Sequence, residues 1–178
     1  YVGYKITDVF SLYAKDVMLY DQMQSAQVGT FLLFIRPVIG VVIGVLADRT
    51  KTTFWLLVSF IVSFLGALLF ASGIISGSET ALFFISILVV ATGVYAARSL
   101  YFAVMERGNI PLVLTGTAVG LISIIGYTPD IFAGPAMGFL LENSPGAKGH
   151  QHVFLMLAIF SFIGGIAAWY YYKLYRKS

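Results

Sequence analysis

Residues 28–47 have the sequence VGTFLLFIRPVIGVVIGVLA, and the charged segment Asp48-Arg49-Thr50-Lys51 follows directly. A helix of this length rises about 30 Å, which is the hydrocarbon thickness of a bilayer. Only Arg36 and Pro37 interrupt the apolar run. The stretch therefore predicts a transmembrane helix that ends at the Asp48 turn.

The composition extends this prediction to the whole chain. Of its 178 residues, 59% are hydrophobic and 11% are charged, and the mean hydropathy is +0.90. Soluble domains carry about 25% charged residues. We therefore predict an all-α integral membrane protein. Without cysteine the chain has no disulfide, thiolate metal site or cysteine nucleophile, and a scattered net charge of +3 gives no indication of a nucleic-acid partner.

Further spans follow from the same criterion of length and hydropathy. The stretch from Tyr1 to Tyr13 is too short and polar to cross alone, so we interpret it as a helix truncated at its N-terminus. A polar loop from Glu142 to Gln151 precedes the last span. The chain is thus expected to form a six-helix bundle, whose remaining spans are residues 54–73, 81–105, 111–141 and 153–172.

The orientation follows from basic residues near the span ends, which favour the cytoplasmic side. Two basic residues, Lys15 and Lys148, fall on one predicted side. The other side carries Arg49, Lys51, Arg107, Lys173, Arg176 and Lys177. We predict a multi-pass protein of the cell membrane or inner membrane, with a cytoplasmic C-terminus. The chain has no initiating Met and no signal peptide, so we expect it to begin inside something larger.

The segment Gly44-Val45-Leu46-Ala47-Asp48-Arg49 resembles the signature of the major facilitator superfamily. That signature, Gly, any residue, Leu, Ala, Asp and a basic residue, lies between the second and third helices of each six-helix half. Lys51 replaces its second Gly, and Thr52 and Thr53 replace its basic residues. The resemblance implies that residues 1–178 form the C-terminal half of a twelve-helix secondary transporter. Its partner would be the missing N-terminal half or a second copy.

The family resemblance also implies roles for Asp48 and Arg49, which would gate the outward-open state at the cytoplasmic face. An alternative is that Asp48 caps the next helix and that Arg49 is a topology charge.

Ionisable residues inside spans are costly and indicate function. Arg36 and Lys5 each lie about 15 Å from a span end, near the bilayer midplane, at 1.5 Å rise per residue. Together they favour an anionic solute, which Arg36 would bind bidentately. Tyr4 and Asp8, on the same helix as Lys5, belong to the same candidate substrate site. The alternatives are that Asp8 neutralises Lys5 and that Arg36 pairs with a carboxylate of this or the missing half.

Two further intramembrane charges are candidates for coupling or gating. Asp130 follows Pro129 in a helix that Gly126, Pro129, Gly134 and Pro135 are expected to break, where it could bind a proton or cation or remain a solvated gate charge. Arg98 is near enough to the cytoplasm to reach it, with Glu106 or Asp48 as expected partners. Glycine pairs four residues apart predict close helix contacts: Gly40 and Gly44, Gly116 and Gly120, and Gly134 and Gly138.

The remaining function classes are weaker. An enzyme is not expected, because the two histidines, His150 and His152, fall in the predicted polar loop and no Ser-His pair or metal cluster lies within the spans. No segment resembles a channel filter. We therefore expect a transporter of a small organic anion that works by alternating access and needs no cofactor. A channel, or a sensor or assembly subunit on a transporter fold, is the alternative.

Overall fold

Six α-helices make up the described part of the chain, which in this computed structural model comprises residues 2–75, 77, 79–101 and 111–175. Side chains are described in these ranges except at residues 2–7, 112, 130 and 175. No strand occurs in these ranges. The helices are α1 (Val2–Asp16), α2 (Gln22–Arg49), α3 (Thr52–Ala71), α4 (Thr80–Leu100), α5 (Thr115–Asn143) and α6 (Ala147–Tyr175), and a 3-10 turn at Leu112–Leu114 precedes α5.

Five of the six described helices, α2 to α6, are long and apolar enough to cross a membrane. The prediction of an all-α, multi-pass membrane protein is therefore confirmed. Helix α1 has 15 residues and does not meet the length criterion, so the sixth crossing stays a prediction.

Short polar connections fix the ends of the helices. Before α2, the Asp21 carboxylate accepts a hydrogen bond from the Gln24 backbone N–H at 2.6 Å, and the Gln24 side chain accepts one from the Asp21 N–H at 3.2 Å. This reciprocal capping box satisfies amides that the first turn of a helix leaves unpaired. Between α2 and α3, the Thr50 hydroxyl donates to the Leu46 carbonyl and accepts from the Trp55 indole N–H.

An aromatic cluster joins four helices at one end of the bundle. Tyr13 stacks edge-on against Phe70 at 5.1 Å between ring centroids, and Phe70 stacks on Phe154 at 4.5 Å. Phe10 and Phe83 complete the cluster, whose five residues come from α1, α3, α4 and α6 and are buried. The Tyr13 hydroxyl donates to the Ile75 carbonyl at 2.8 Å, so the buried phenol is satisfied.

Helix α3 packs closely against α4 at Gly93. A Cβ built on Gly93 would lie 2.6 Å from the Ser63 backbone nitrogen and 2.5 Å from its hydroxyl, closer than real Cβ atoms come. The Ser63 hydroxyl donates to the Ser59 carbonyl at 2.9 Å, which keeps this polar group inside its own helix. The contact therefore needs a residue without a side chain.

Three predictions about local structure are wrong. The polar loop reduces to Ser144–Gly146, because α6 already begins at Ala147. Helix α5 runs through Pro129 and Pro135 without a break in its assignment. Each proline removes one backbone hydrogen bond, and the other bonds of the helix are enough to continue it. Of the predicted glycine pairs, only Gly40 would bring a Cβ near another described helix.

Gly93→Ala is expected to lower the stability of the bundle by about 1–3 kcal/mol, the cost of overpacking a tight contact. Thermal unfolding in detergent measures the change. Gly44→Ala is the matched control, since a Cβ there has no neighbour within 4 Å among the described residues. Equal melting temperatures for the two variants would contradict the close α3–α4 contact.

Candidate functional site

A cavity of about 320 Å³ lies between α2 and α4, and Arg36 and Arg98 both line it. Its other lining residues are Pro37, Gly40, Tyr95 and Ser99. Arg36 lies at the midpoint of α2 and is exposed, whereas Arg98 is half-buried in the last turn of α4. The structure thus brings together two arginines that the sequence analysis had assigned to different tasks.

The local packing of α2 on α4 explains why both side chains reach one cavity. A Cβ on Gly40 would lie 3.2 Å from the Ser99 hydroxyl, so the missing side chain lets the helices approach there. The Ser99 hydroxyl donates to the Tyr95 carbonyl at 2.9 Å, and Tyr95 itself is 1% exposed. The wall opposite Arg36 is therefore fixed, while the guanidinium of Arg36 faces open space.

The cavity is electropositive. No acidic residue is among the described residues that line it, and arginine keeps its charge at any accessible pH. Two cations in a site of low dielectric repel each other and favour an anion between them. The planar guanidinium donates paired hydrogen bonds that fit a carboxylate or a phosphate. The arrangement is suited to hold one small anion.

The other predicted substrate residues are not placed in this cavity. Tyr4 and Lys5 belong to α1, but their side chains fall outside the described residues. Asp8, one turn further along α1, is exposed. The predicted coupling residue Asp130 lies in α5, and its side chain is also outside the described set. Their roles stay predictions.

Asp48 and Arg49 lie exposed in the last turn of α2. The alternative in which Asp48 caps the next helix is wrong, because Lys51 is the N-cap of α3 and no side chain caps that helix. A carboxylate at a helix C-terminus is also unfavourable with respect to the helix dipole. Neither side chain forms a salt bridge with another residue in the described part of the chain. The position of Asp48 is thus unexplained by helix capping.

Sequence reasoning missed a contact between the buried His150 and the exposed Asp16. His150, expected in a polar loop, is 1% exposed in the first turns of α6, and its Nε2 lies 3.0 Å from Oδ2 of Asp16 at the end of α1. The imidazole also packs edge-on against Tyr13, at 5.4 Å between ring centroids. Nδ1 is buried and has no hydrogen-bond partner among the described residues. The pair therefore fastens α1 to α6 beside the aromatic cluster.

No group of His, Asp or Glu within the described residues could hold a metal ion. The cavity chemistry is thus that of the two arginines. Tyr95, whose type and position within a span already made it a candidate for lining a cavity, shares the lining with them, as does Ser99, which sequence reasoning missed.

Comparison with known proteins identifies two relatives in Escherichia coli (strain K12). Inner membrane protein YqcE is 27% identical over 171 residues, which cover 88% of this chain and 40% of that protein. Inner membrane protein YihN is 35% identical over 75 residues, which cover 42% of this chain and 18% of that protein. The chain spans less than half the length of these relatives. No protein-family model matches the sequence, and no solved structure matches it significantly.

Asp16→Ala is expected to destabilise the bundle by about 1–3 kcal/mol, because the buried imidazole loses its hydrogen-bond partner. Thermal unfolding measures the loss. Lys15→Ala is the control, since Lys15 is the exposed neighbour of Asp16. A second pair, His150→Ala and His152→Ala, should separate in the same way, because His152 is exposed on the same helix. Parallel behaviour within both pairs would contradict a role in holding the fold together.

Proposed function

We propose that this chain is one six-helix half of a secondary transporter of the major facilitator type, which moves a small organic anion across the membrane by alternating access. The observation that carries the proposal is the cavity between α2 and α4, which Arg36 and Arg98 line together. The similarity to inner membrane proteins supports the membrane setting.

The position of Arg36 gives the energetic argument for an anion. A charged residue at the centre of a span is costly unless it faces a cavity or a counter-ion. A bound anion offsets the desolvation of Arg36 only while the site is occupied, which links occupancy to closure of the protein around the solute. A carboxylate from the other half would offset it permanently. In that rival arrangement the arginines are structural.

The turn after α2 is proposed to control exchange between conformations. Asp48 and Arg49 are exposed at a helix end, while the cavity lies along the middle of α2. A carboxylate in the last turn of a helix is held more favourably by a cation or a helix N-terminus on a neighbouring element. Such a contact, made in only one conformation, would bias the exchange between states. In this proposal the C-terminus and the Asp48 turn both lie on the cytoplasmic side of the membrane.

A sensor or assembly subunit built on the same fold is the second candidate. It would bind the anion at the same arginines without moving it. Uptake into proteoliposomes distinguishes the two, because only a transporter accumulates or exchanges its solute.

Substitution of Arg36 tests the anion site on the complete protein. A panel of small carboxylates and organic phosphates is first screened for ligands that raise the melting temperature. Arg36→Gln is then expected to weaken binding of the best ligand by about tenfold to a hundredfold, because charge-assisted hydrogen bonds are lost. Arg36→Lys should also bind weakly, since it keeps the charge but not the planar fork.

Arg98→Gln is expected to weaken binding of the same ligand. Lys148→Gln is the control, because Lys148 is exposed at the start of α6. If the best ligand is neutral or cationic, or if all variants bind it alike, the anion site is refuted.

Asp48→Asn is expected to slow transport while leaving binding affinity nearly intact, since the residue lies outside the cavity. Equilibrium binding and exchange rates measured on the same preparation separate the two effects. A large loss of affinity at an unchanged exchange rate would place Asp48 in the binding site instead.

A further inference from the structure

A second, apolar groove runs between α3 and α6, with a volume of about 290 Å³. Six of its residues carry the argument and define the α3/α6 groove: Phe60, Phe64, Ser161, Phe162, Gly165 and Trp169. It shares no lining residue with the arginine cavity, which lies between different helices. Phe162 and Trp169 are each more than half exposed, so the groove is open on one side in the described residues.

Two adjacent glycines create the groove. The Phe60 ring packs directly on Gly164, and a Cβ on Gly165 would meet only the Phe60 Cβ, at 3.7 Å. The larger side chains of Phe64 and Phe162, at 5.5 Å between centroids, form the wall further along. The floor is therefore apolar and has no side chain at Gly165.

One end of the groove is cationic. The Lys173 ammonium lies 5.3 Å from the centroid of the Trp169 ring, one turn beyond the groove on α6. At the same end, α3 begins at Thr52 without a side-chain cap, and Phe54 contacts Tyr172 at 6.4 Å between centroids. An uncapped helix N-terminus carries partial positive charge, and Lys51 adds a full one. The apolar α3/α6 groove thus ends beside a group of positive charges.

We propose that the α3/α6 groove binds an anionic phospholipid, with one acyl chain along the groove and the phosphate at Lys173. Aromatic and basic residues at a span end lie at the level of the lipid headgroups, which is the depth this arrangement needs. A neutral lipid would fill the groove equally well, but it would gain no electrostatic attraction from the cationic end. An apolar helix of a partner protein would likewise gain none. The inference does not depend on the transport activity proposed above.

Lipid binding to the complete protein in detergent tests the proposal. Dioleoylphosphatidylglycerol and dioleoylphosphatidylcholine are titrated separately, and bound lipid is counted by native mass spectrometry. The wild type is expected to prefer phosphatidylglycerol by about fivefold, the effect of one basic residue near a charged headgroup. Lys173→Gln should reduce that preference to nearly none, whereas Lys148→Gln, at the opposite end of α6, should leave it unchanged.

A second variant tests the groove itself. Gly165→Leu places a side chain where the acyl chain would lie and should lower the binding of both lipids, while the preference set by Lys173 remains in what still binds. Two results would overturn the proposal. One is equal binding of the two lipids by the wild type. The other is unchanged lipid binding in Gly165→Leu, which would mean that another part of the protein fills the groove.

Discussion

Hydrocarbon offers no hydrogen bonds, so every backbone amide and carbonyl of a spanning segment must be paired within the chain. This constraint explains why the described residues form long helices joined by short turns. It also leaves little hydrophobic drive for helix association, because lipid tails are as apolar as leucine. The helices must therefore associate by close fit, as Gly93 does against Ser63 and as the aromatic cluster does across four helices.

Hydrocarbon also determines how the polar side chains inside the spans must be paired. Three serines in the spans, Ser59, Ser63 and Ser99, donate their hydroxyls to carbonyls of their own helix. Arginine has no such option, because it is a donor only and keeps its charge. Arg36 and Arg98 both line the cavity between α2 and α4. The contact at Gly40 therefore serves two purposes: it joins α2 to α4, and it shapes the cavity that the two arginines line.

Much of the fold could be predicted from the sequence, because length and hydropathy act within one segment. The spans, the Asp48 turn and the position of Arg36 in the middle of a span all follow from such local information. Contacts between distant segments could not be predicted. His150 looked like a loop residue because Lys148, Gln151 and His152 surround it, yet Asp16, 134 residues earlier, makes its burial favourable. The shared cavity of Arg98 and Arg36 could not be predicted, because nothing local indicates that the contact at Gly40 brings α2 beside α4.

The pairing of Asp16 with His150 also bears on how the protein is made. Chains leave the ribosome at about 5–20 residues per second, so about 7–27 seconds pass between the synthesis of these two partners, which lie 134 residues apart. During that interval α1 has been produced but lacks its contact with α6, and Tyr13 and Phe70 lack the ring of Phe154. The contacts of Phe154 with the aromatic cluster form only when α6 enters the bilayer. Until α6 has been made, the rings of Tyr13 and Phe70 at this end of the bundle are left without one of their packing partners.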